Sequence, residues 1–321
     1  MVVQIPCLNE EATLPLVIKT IPKSIPGIDD IDILVIDDGS SDKTVEVAKK
    51  AGVKHFVFHT KNRGLGRSFH DGVMKALEMG ADIVVNTDGD NQYPQADIPR
   101  LVAPILQKKA DIVVADRQIN GIKHFSRFKK LMQKFGTMVL NSAAGTDIPD
   151  AASGFRAYSK EALLKINTVT RFSYCMETII QAGNKRLAIA SVPVKTNPKT
   201  RESRLFKSPG EHIVKSAVTI VRAYTMYKPY VLFIVLGFVT LVVGLIPFSR
   251  YFWFYLQGER GSHIQSLIVG SILLIGSLLS FTLGVLADLI RINRILIEDD
   301  LELHKRVHLA LINKDSNSKS Q

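Results

Sequence analysis

Two carboxylates separated by one glycine, Asp88-Gly89-Asp90, close the apolar run ADIVVNTD and are followed by Asn91 and Gln92. Asp88 and Asp90 at that spacing, with Gln92 beside them, can share a hard divalent cation, Mg²⁺ or Mn²⁺, whose remaining ligands are waters and phosphate oxygens. A cation held there would steady a departing diphosphate. Three more polar clusters end apolar runs: Pro6-Cys7-Leu8-Asn9-Glu10-Glu11, Asp37-Asp38-Gly39-Ser40-Ser41-Asp42 and Asp116-Arg117. Each alone reads equally well as a helix cap, because Asp, Ser and Asn satisfy the free N–H groups of a first turn. Gly64-Leu65-Gly66-Arg67 opens a helical stretch, where free N–H groups and Arg67 either face an anion or turn the chain. There is no GxxxxGK[ST] phosphate loop and no GxGxxG after the first apolar run, which argues against P-loop and dinucleotide-oxidoreductase chemistry. Cys7 and Cys175 are too few for a disulfide framework and lack the spacing of a zinc site, which suits a reducing compartment. The eight histidines do not recur at ligand spacing.

These clusters need elements to bring them together. VVQIP, IDILVID, HFVFH, ADIVVNTD and ADIVVAD have strand length, and helical patterns over Glu11–Ile21, Asp42–Ala51, Leu65–Met79 and Ala96–Lys108 separate them. Such alternation predicts a doubly wound α/β sheet, mostly parallel, with helices on both faces. Ligands of such sheets bind beyond the carboxyl ends of the strands, where all four clusters fall.

The ordered set IPCLNEE, VIDDGSSD, NTDGDNQ and SGFRAYS (Ser153–Ser159) resembles the successive signatures of family-2 glycosyltransferases with the GT-A fold. A catalytic domain followed by a basic segment and a membrane hairpin is similar, more narrowly, to polyprenyl-phosphate glycosyltransferases of the dolichyl-phosphate mannose synthase type. The resemblance implies that Pro6, Leu8, Glu10, Ile36 and Asp38 meet the nucleotide. It likewise implies that Asp88, Gly89, Asp90 and Gln92 meet the metal and diphosphate, and that Arg117 lies near the diphosphate. Asp90, Arg117 and Asp150 are then the expected catalytic groups, with Asp150 near the acceptor as either a base or a structural cap. The family's late Glu-Ser-Lys motif stands here as Glu202-Ser203-Arg204 after Arg201, so Arg201 and Arg204 are expected on a phosphate. Ser153 and Arg156 are expected at the acceptor, Arg156 with a buried ion pair as its other reading. Leu8 replaces an aromatic common in mannose synthases and DGDNQ replaces their usual DADLQ, which leaves the donor open between GDP- and UDP-linked sugars.

Charge and hydropathy place the rest. The chain has 321 residues, 46% of them hydrophobic, and a formal charge of +11, which excludes disorder and admits nucleic acid, membrane or an anionic substrate as partner. Pro229–Ser249 and Ile264–Ala287 contain no charged residue, and either can cross a hydrocarbon core of about 30 Å. Lys215, Arg222 and Lys228 before the first run, and Arg291, Arg294, Lys305 and Arg306 after the second, predict cytoplasmic termini. Tyr251–Tyr255 would form the outer aromatic belt. Residues 117–134 hold six basic and no acidic side chains, and residues 195–228 hold eight basic and two acidic. Because Phe125, Phe128, Met132, Phe135 and Val139 recur at helical spacing among Arg127 and Lys130, a basic helix in the headgroup plane is expected, meeting the acceptor phosphate. An ordinary surface helix packed on the sheet is its other reading. The basic bias thus favours lipid phosphate over nucleic acid.

The expected organisation is a catalytic domain over residues 1–205, a basic amphipathic juxtamembrane helix over 206–228, and spans over 229–249 and 264–290. An extracytoplasmic loop over 250–263 joins the spans, and a partly disordered cytoplasmic tail covers 291–321. No signal peptide is read at the N-terminus. The expected activity is inverting, metal-dependent transfer of a hexose from a nucleotide sugar to a polyprenyl phosphate, by a membrane protein that a homo-oligomeric state would also suit. A processive polysaccharide synthase would carry Gln-x-x-Arg-Trp, whereas Trp253 is the only tryptophan. A different acceptor and a non-catalytic membrane scaffold are the remaining alternatives.

Overall fold

The computed structural model describes residues 1–118, 127–168, 174–198, 228–258 and 263–318, with the single positions Val218 and Thr225. Strands β1 (Val2–Cys7), β2 (Asp32–Asp37), β3 (His55–Phe58), β4 (Ile83–Asn86), β5 (Ile112–Asp116), β6 (Arg156–Ser159) and β7 (Ile189–Pro193) form one sheet in the order β3-β2-β1-β4-β6-β5-β7. The β1–β2, β1–β4, β2–β3 and β5–β7 pairs are parallel, and β6 runs antiparallel between β4 and β5. The carboxyl ends of β1, β2, β4 and β5 therefore share one edge. All of β1 is buried, as its apolar residues on both faces require.

Helices α1 (Leu14–Thr20), α2 (Thr44–Lys50), α3 (Leu65–Glu78) and α4 (Ile98–Leu106) occupy the expected gaps. Gly72 lets α3 lie close to the sheet, because a Cβ there would stand 2.6 Å from Gln4 Oε1 and 2.8 Å from Ile36 Cδ1. Strands β6 and β7 were not among the expected runs. β6 is only four residues long and carries Arg156, and β7 is half exposed, so neither presents a continuous apolar run. Helices α5 (Arg127–Ala144), α6 (Lys160–Lys165) and α7 (Tyr174–Asn184) complete this part of the chain.

Helices α8 (Pro229–Leu256) and α9 (Ile264–Ser318) follow, each long and apolar enough to cross a membrane. The chain divides into two compact units, residues 221–297 and residues 1–220 with 298–321. In the first unit small residues let the two helices meet closely. A Cβ at Gly244 would lie 2.9 Å from Leu273 Cβ, and Ser277 Oγ donates to the Gly237 carbonyl at 2.7 Å.

The tail expected to be partly disordered is instead helical to Ser318. Its order has a physical source within the catalytic unit. Lys305 is buried, and its Nζ donates to the carbonyls of Leu163 (3.2 Å), Leu164 (3.4 Å) and Ile166 (2.7 Å). These are the carbonyls left without helical partners where α6 ends. Arg306 pairs with Glu161 at 2.6 Å, and Lys185 with Glu298 at 3.5 Å. The expected juxtamembrane helix over 206–228 lies outside the described residues apart from Val218, Thr225 and Lys228.

Candidate active site

The first two polar clusters interlock. The Asn9 N–H donates to Ser40 Oγ (2.9 Å), and Asn9 Oδ1 accepts from the Ser41 N–H (2.7 Å). The Glu10 N–H donates to Thr44 Oγ1 (2.7 Å), and Glu11 Oε2 accepts from the Lys43 N–H (3.0 Å). Ser40, Ser41 and Asp42 thus hold two strand-end loops together. Pro6 is buried in β1 and Ile36 in β2, with the Ile36 side chain packed toward α3, so neither offers a side chain to a nucleotide. Any contact of either residue with a nucleotide would be through the backbone. Leu8 is partly exposed, and Glu10 is buried with its Oε2 accepting from Thr13 Oγ1 at 2.8 Å.

Asp38, at the end of β2, accepts three hydrogen bonds. His59 Nδ1 (2.7 Å) and the Arg63 N–H (2.8 Å) meet Oδ1, and the Gly64 N–H (3.0 Å) meets Oδ2. Arg67 bonds Asp71 through Nε at 2.9 Å, one turn along α3, which favours the chain-turning reading of that segment.

Asp88, Asp90 and Gln92 follow β4 and are all partly exposed. Gly89 must be small, because a Cβ there would stand 3.2 Å from Cys7 Sγ and from Glu10 Cγ. Asp90 Oδ1 accepts from the Gln92 N–H at 3.1 Å, which closes the turn through Asn91 at φ 59°. Asn197, after β7, braces this turn from behind. Its N–H donates to the Gln92 carbonyl (2.9 Å) and its Nδ2 to the Asn91 carbonyl (2.9 Å). Burial, and then the nearby Glu10, push the Cys7 thiol well above its ordinary range, so it stays a protonated packing residue.

The Ser153–Arg156 segment reaches this site through Gly154. A Cβ at Gly154 would fall 3.2 Å from both Asp88 carboxylate oxygens. The Gly154 N–H donates to Tyr93 Oη (3.0 Å), while its carbonyl accepts from Asn86 Nδ2 (3.0 Å) and Tyr174 Oη (3.0 Å). Among the described residues no three His, Cys, Asp or Glu side chains group to hold a metal. The partly exposed Asp88 and Asp90 therefore fit a cation that takes its other ligands from a diphosphate and water.

Arg117 and Asp150 form a bidentate pair. Arg117 donates through Nε to Asp150 Oδ2 (2.6 Å) and through Nη2 to Oδ1 (2.9 Å). The N–H groups of Arg117 and Ala152 add bonds of 3.3 Å each, one to each oxygen. A carboxylate offers about four acceptor directions, and Asp150 is fully buried with four bonds, so no acceptor direction remains for a substrate proton. This argues against its reading as a base. Arg156 is also fully buried, and it donates to the carbonyls of Ala151, Ser153 and Cys175 and to Thr178 Oγ1 at 2.7–2.8 Å. It can reach neither a lipid phosphate nor a carboxylate, because its guanidinium is enclosed by chain carbonyls. Ser153 is buried beside it.

On α5, Leu131, Phe135 and Met138 lie one helical turn apart and are 63%, 51% and 59% exposed. The side chains of Arg127 and Lys130, and all of Arg201 and Arg204, lie outside the described residues. The residues missed by sequence reasoning are Asn86, Tyr93, Tyr174 and Asn197, which brace the acidic turn, and His59 beside Asp38. Only His59 carries a usable signal, its place at the carboxyl end of a parallel strand.

Residues 2–166 match the family described as Glycosyl transferase family 2. The chain belongs to this family. It is a glycosyltransferase, and its family domain is the one whose strand ends build the site. A UDP-N-acetylglucosamine–dolichyl-phosphate N-acetylglucosaminyltransferase of Methanococcus voltae is 31% identical over 217 residues, 60% of this chain and 83% of that protein. An undecaprenyl-phosphate mannosyltransferase of Micrococcus luteus is 26% identical, over 68% of this chain and 91% of its own. Among solved structures, glucosyl-3-phosphoglycerate synthase of Mycobacterium tuberculosis, in complex with Mn²⁺, UDP and its product, superposes with a TM-score of 0.52 at 22% identity. That match covers 69% of this chain and 77% of the other, and it speaks for the fold.

Proposed function

We propose that this family-2 enzyme transfers a hexose, with inversion, from a GDP- or UDP-linked donor to a polyprenyl phosphate at the cytoplasmic face of the membrane. The product would be a lipid-linked sugar for cell-envelope glycan or protein glycosylation. The observation that carries this reading is the saturation of Asp150. A hydroxyl acceptor needs a base to take its proton, whereas a phosphate monoester, with a second pKa of about 6, is already largely dianionic at pH 7. A site whose acceptor-side carboxylate is filled by Arg117 suits the acceptor that needs no deprotonation. The relatives named for dolichyl and undecaprenyl phosphate acceptors agree with this.

Asp38, Leu8 and Glu10 would meet the nucleotide, and Asp88 and Asp90, with Gln92, would hold Mg²⁺ or Mn²⁺. Such a cation would supply positive charge for the leaving diphosphate. Arg117, aimed by Asp150, adds a fixed cation near the same place. Arg127, Lys130, Arg201 and Arg204 remain proposed phosphate contacts. The apolar face of α5 supports membrane seating. The packing of residues from Glu298 onward into the catalytic unit supports a two-span topology with both flanks of the hairpin on one side.

The test uses the full chain in detergent with labelled UDP- and GDP-sugars, Mg²⁺ or Mn²⁺, and either polyprenyl phosphate or free polyprenol. Label should enter the organic-extractable fraction with the phosphate alone. Transfer to free polyprenol, or to a soluble acceptor in its place, overturns the reading.

A further inference from the structure

His59 follows β3 and has a side chain only 3% exposed, with both ring nitrogens on carboxylates of different elements. Nδ1 lies 2.7 Å from Asp38 Oδ1 and Nε2 lies 3.1 Å from Asp71 Oδ2 on α3. The His59 backbone N–H donates to the Asp37 carbonyl at 2.9 Å, which ties the chain at the end of β3 to β2. Asp71 is itself held from several sides. Arg67 Nε meets its Oδ2 at 2.9 Å, Arg63 Nη1 approaches at 3.7 Å and His70 Nδ1 meets its Oδ1 at 3.0 Å. The ring is therefore a strut between α3 and the end of β2. A core histidine kept only for packing would not need a carboxylate on each nitrogen.

Asp38 has about four acceptor directions, and His59, Arg63 N–H and Gly64 N–H fill three of them. The direction left over is on Oδ2, and 7% of the side chain remains exposed. We infer that His59 is a positioning residue for the donor. It fixes the rotation of the Asp38 carboxylate so that this last direction is presented to a ring N–H of the nucleotide base. The inference rests on the proposed contact between Asp38 and the nucleotide, and it adds the residue that aims it.

Asparagine places an amide nitrogen near the position of Nδ1, whereas glutamine places one near Nε2. His59→Asn can keep the bond to Asp38, and His59→Gln keeps only the bond to Asp71. Binding of UDP and GDP to the full-length protein in detergent, measured by calorimetry, reads the difference without catalysis. For the nucleotide that the wild type binds, His59→Gln should weaken affinity about 10-fold and His59→Asn less than about 3-fold, with similar losses of thermal stability in both. In turnover the Gln variant should raise donor KM and leave kcat near wild type. Combined with Asp38→Asn, His59→Gln should add nothing further, since both act through one carboxylate. Equal weakening by the two variants, or additive losses in the double variant, overturns the inference while leaving Asp38 as a ligand. Unchanged nucleotide binding by Asp38→Asn alone overturns the contact itself, and the inference falls with it.

Discussion

The acidic turn after β4 and the loop before β6 both carry polar motifs beside the same sheet edge, and they use them in opposite ways. In the first, Asp88 and Asp90 stay partly exposed, and Asn197, Tyr93 and the Gly154 backbone support the turn from behind. In the second, Asp150 is filled by Arg117 and the Ala152 N–H, and Arg156 by carbonyls and Thr178. One region presents charge and the other consumes it. Residue type does not separate a ligand site from its scaffold; here the exposure of the charged groups does, partial at Asp88 and Asp90 and none at Asp150 and Arg156.

The largest effect should come from the presenting side. Asp88→Asn or Asp90→Asn should lower sugar transfer on the order of 10²–10³-fold while thermal denaturation hardly changes, since these side chains are partly solvated. Wild-type turnover in either variant would break the contrast. On the consuming side, Asp150→Asn should destabilise the fold by roughly 2–3 kcal/mol, because the largely enclosed Arg117 guanidinium loses its bidentate counter-ion. Its residual activity should keep the wild-type shape of the pH–rate profile. Loss of the acidic limb of that profile would reinstate Asp150 as a base.

How far the sequence made this legible follows from the same contrast. Strands β1 to β5, four helices and the acidic turn follow from apolar runs and their polar ends, because a buried parallel strand needs both faces apolar. Arg156 was misassigned because burial of a guanidinium depends on carbonyls from residues 151, 153 and 175, which only the packed loop and α7 bring together. The run HFVFH places His59 at the carboxyl end of β3, but its partners do not show in the sequence, since Asp38 and Asp71 lie 21 and 12 residues from it. The helical tail was misread because its order depends on Lys305 reaching carbonyls more than a hundred residues earlier in the chain.

A smaller effect sharpens the contrast at the membrane. Leu131→Glu on α5 should reduce transfer about 10-fold in polyprenyl-phosphate vesicles, since an exposed apolar side chain contributes on the order of 1.5–3 kcal/mol when buried. A short-chain, water-soluble polyprenyl phosphate should be used as well as by the wild type. Equal losses with both acceptors would mean that the face packs within the protein.

The smallest effect concerns Lys305, which solves the problem of Arg156 in another chemistry. Both place a cation among carbonyls, but the guanidinium cannot titrate whereas the ammonium can. Burial, with Lys185 nearby, brings Lys305 down from 10.5 to about 8. An undocked tail keeps the Lys305 proton until about pH 10.5, and a docked one releases it near pH 8. Between those values the docked state binds fewer protons, so docking strengthens as pH rises, by at most about 1.4 kcal/mol per pH unit, and is flat below pH 8. Proteolysis of the tail in the full-length protein should therefore slow between pH 8 and 9.5 relative to Lys305→Met, which lacks the titrating group. Parallel pH profiles for the two proteins would mean that the ammonium keeps its proton in the carbonyl cage, as Arg156 does.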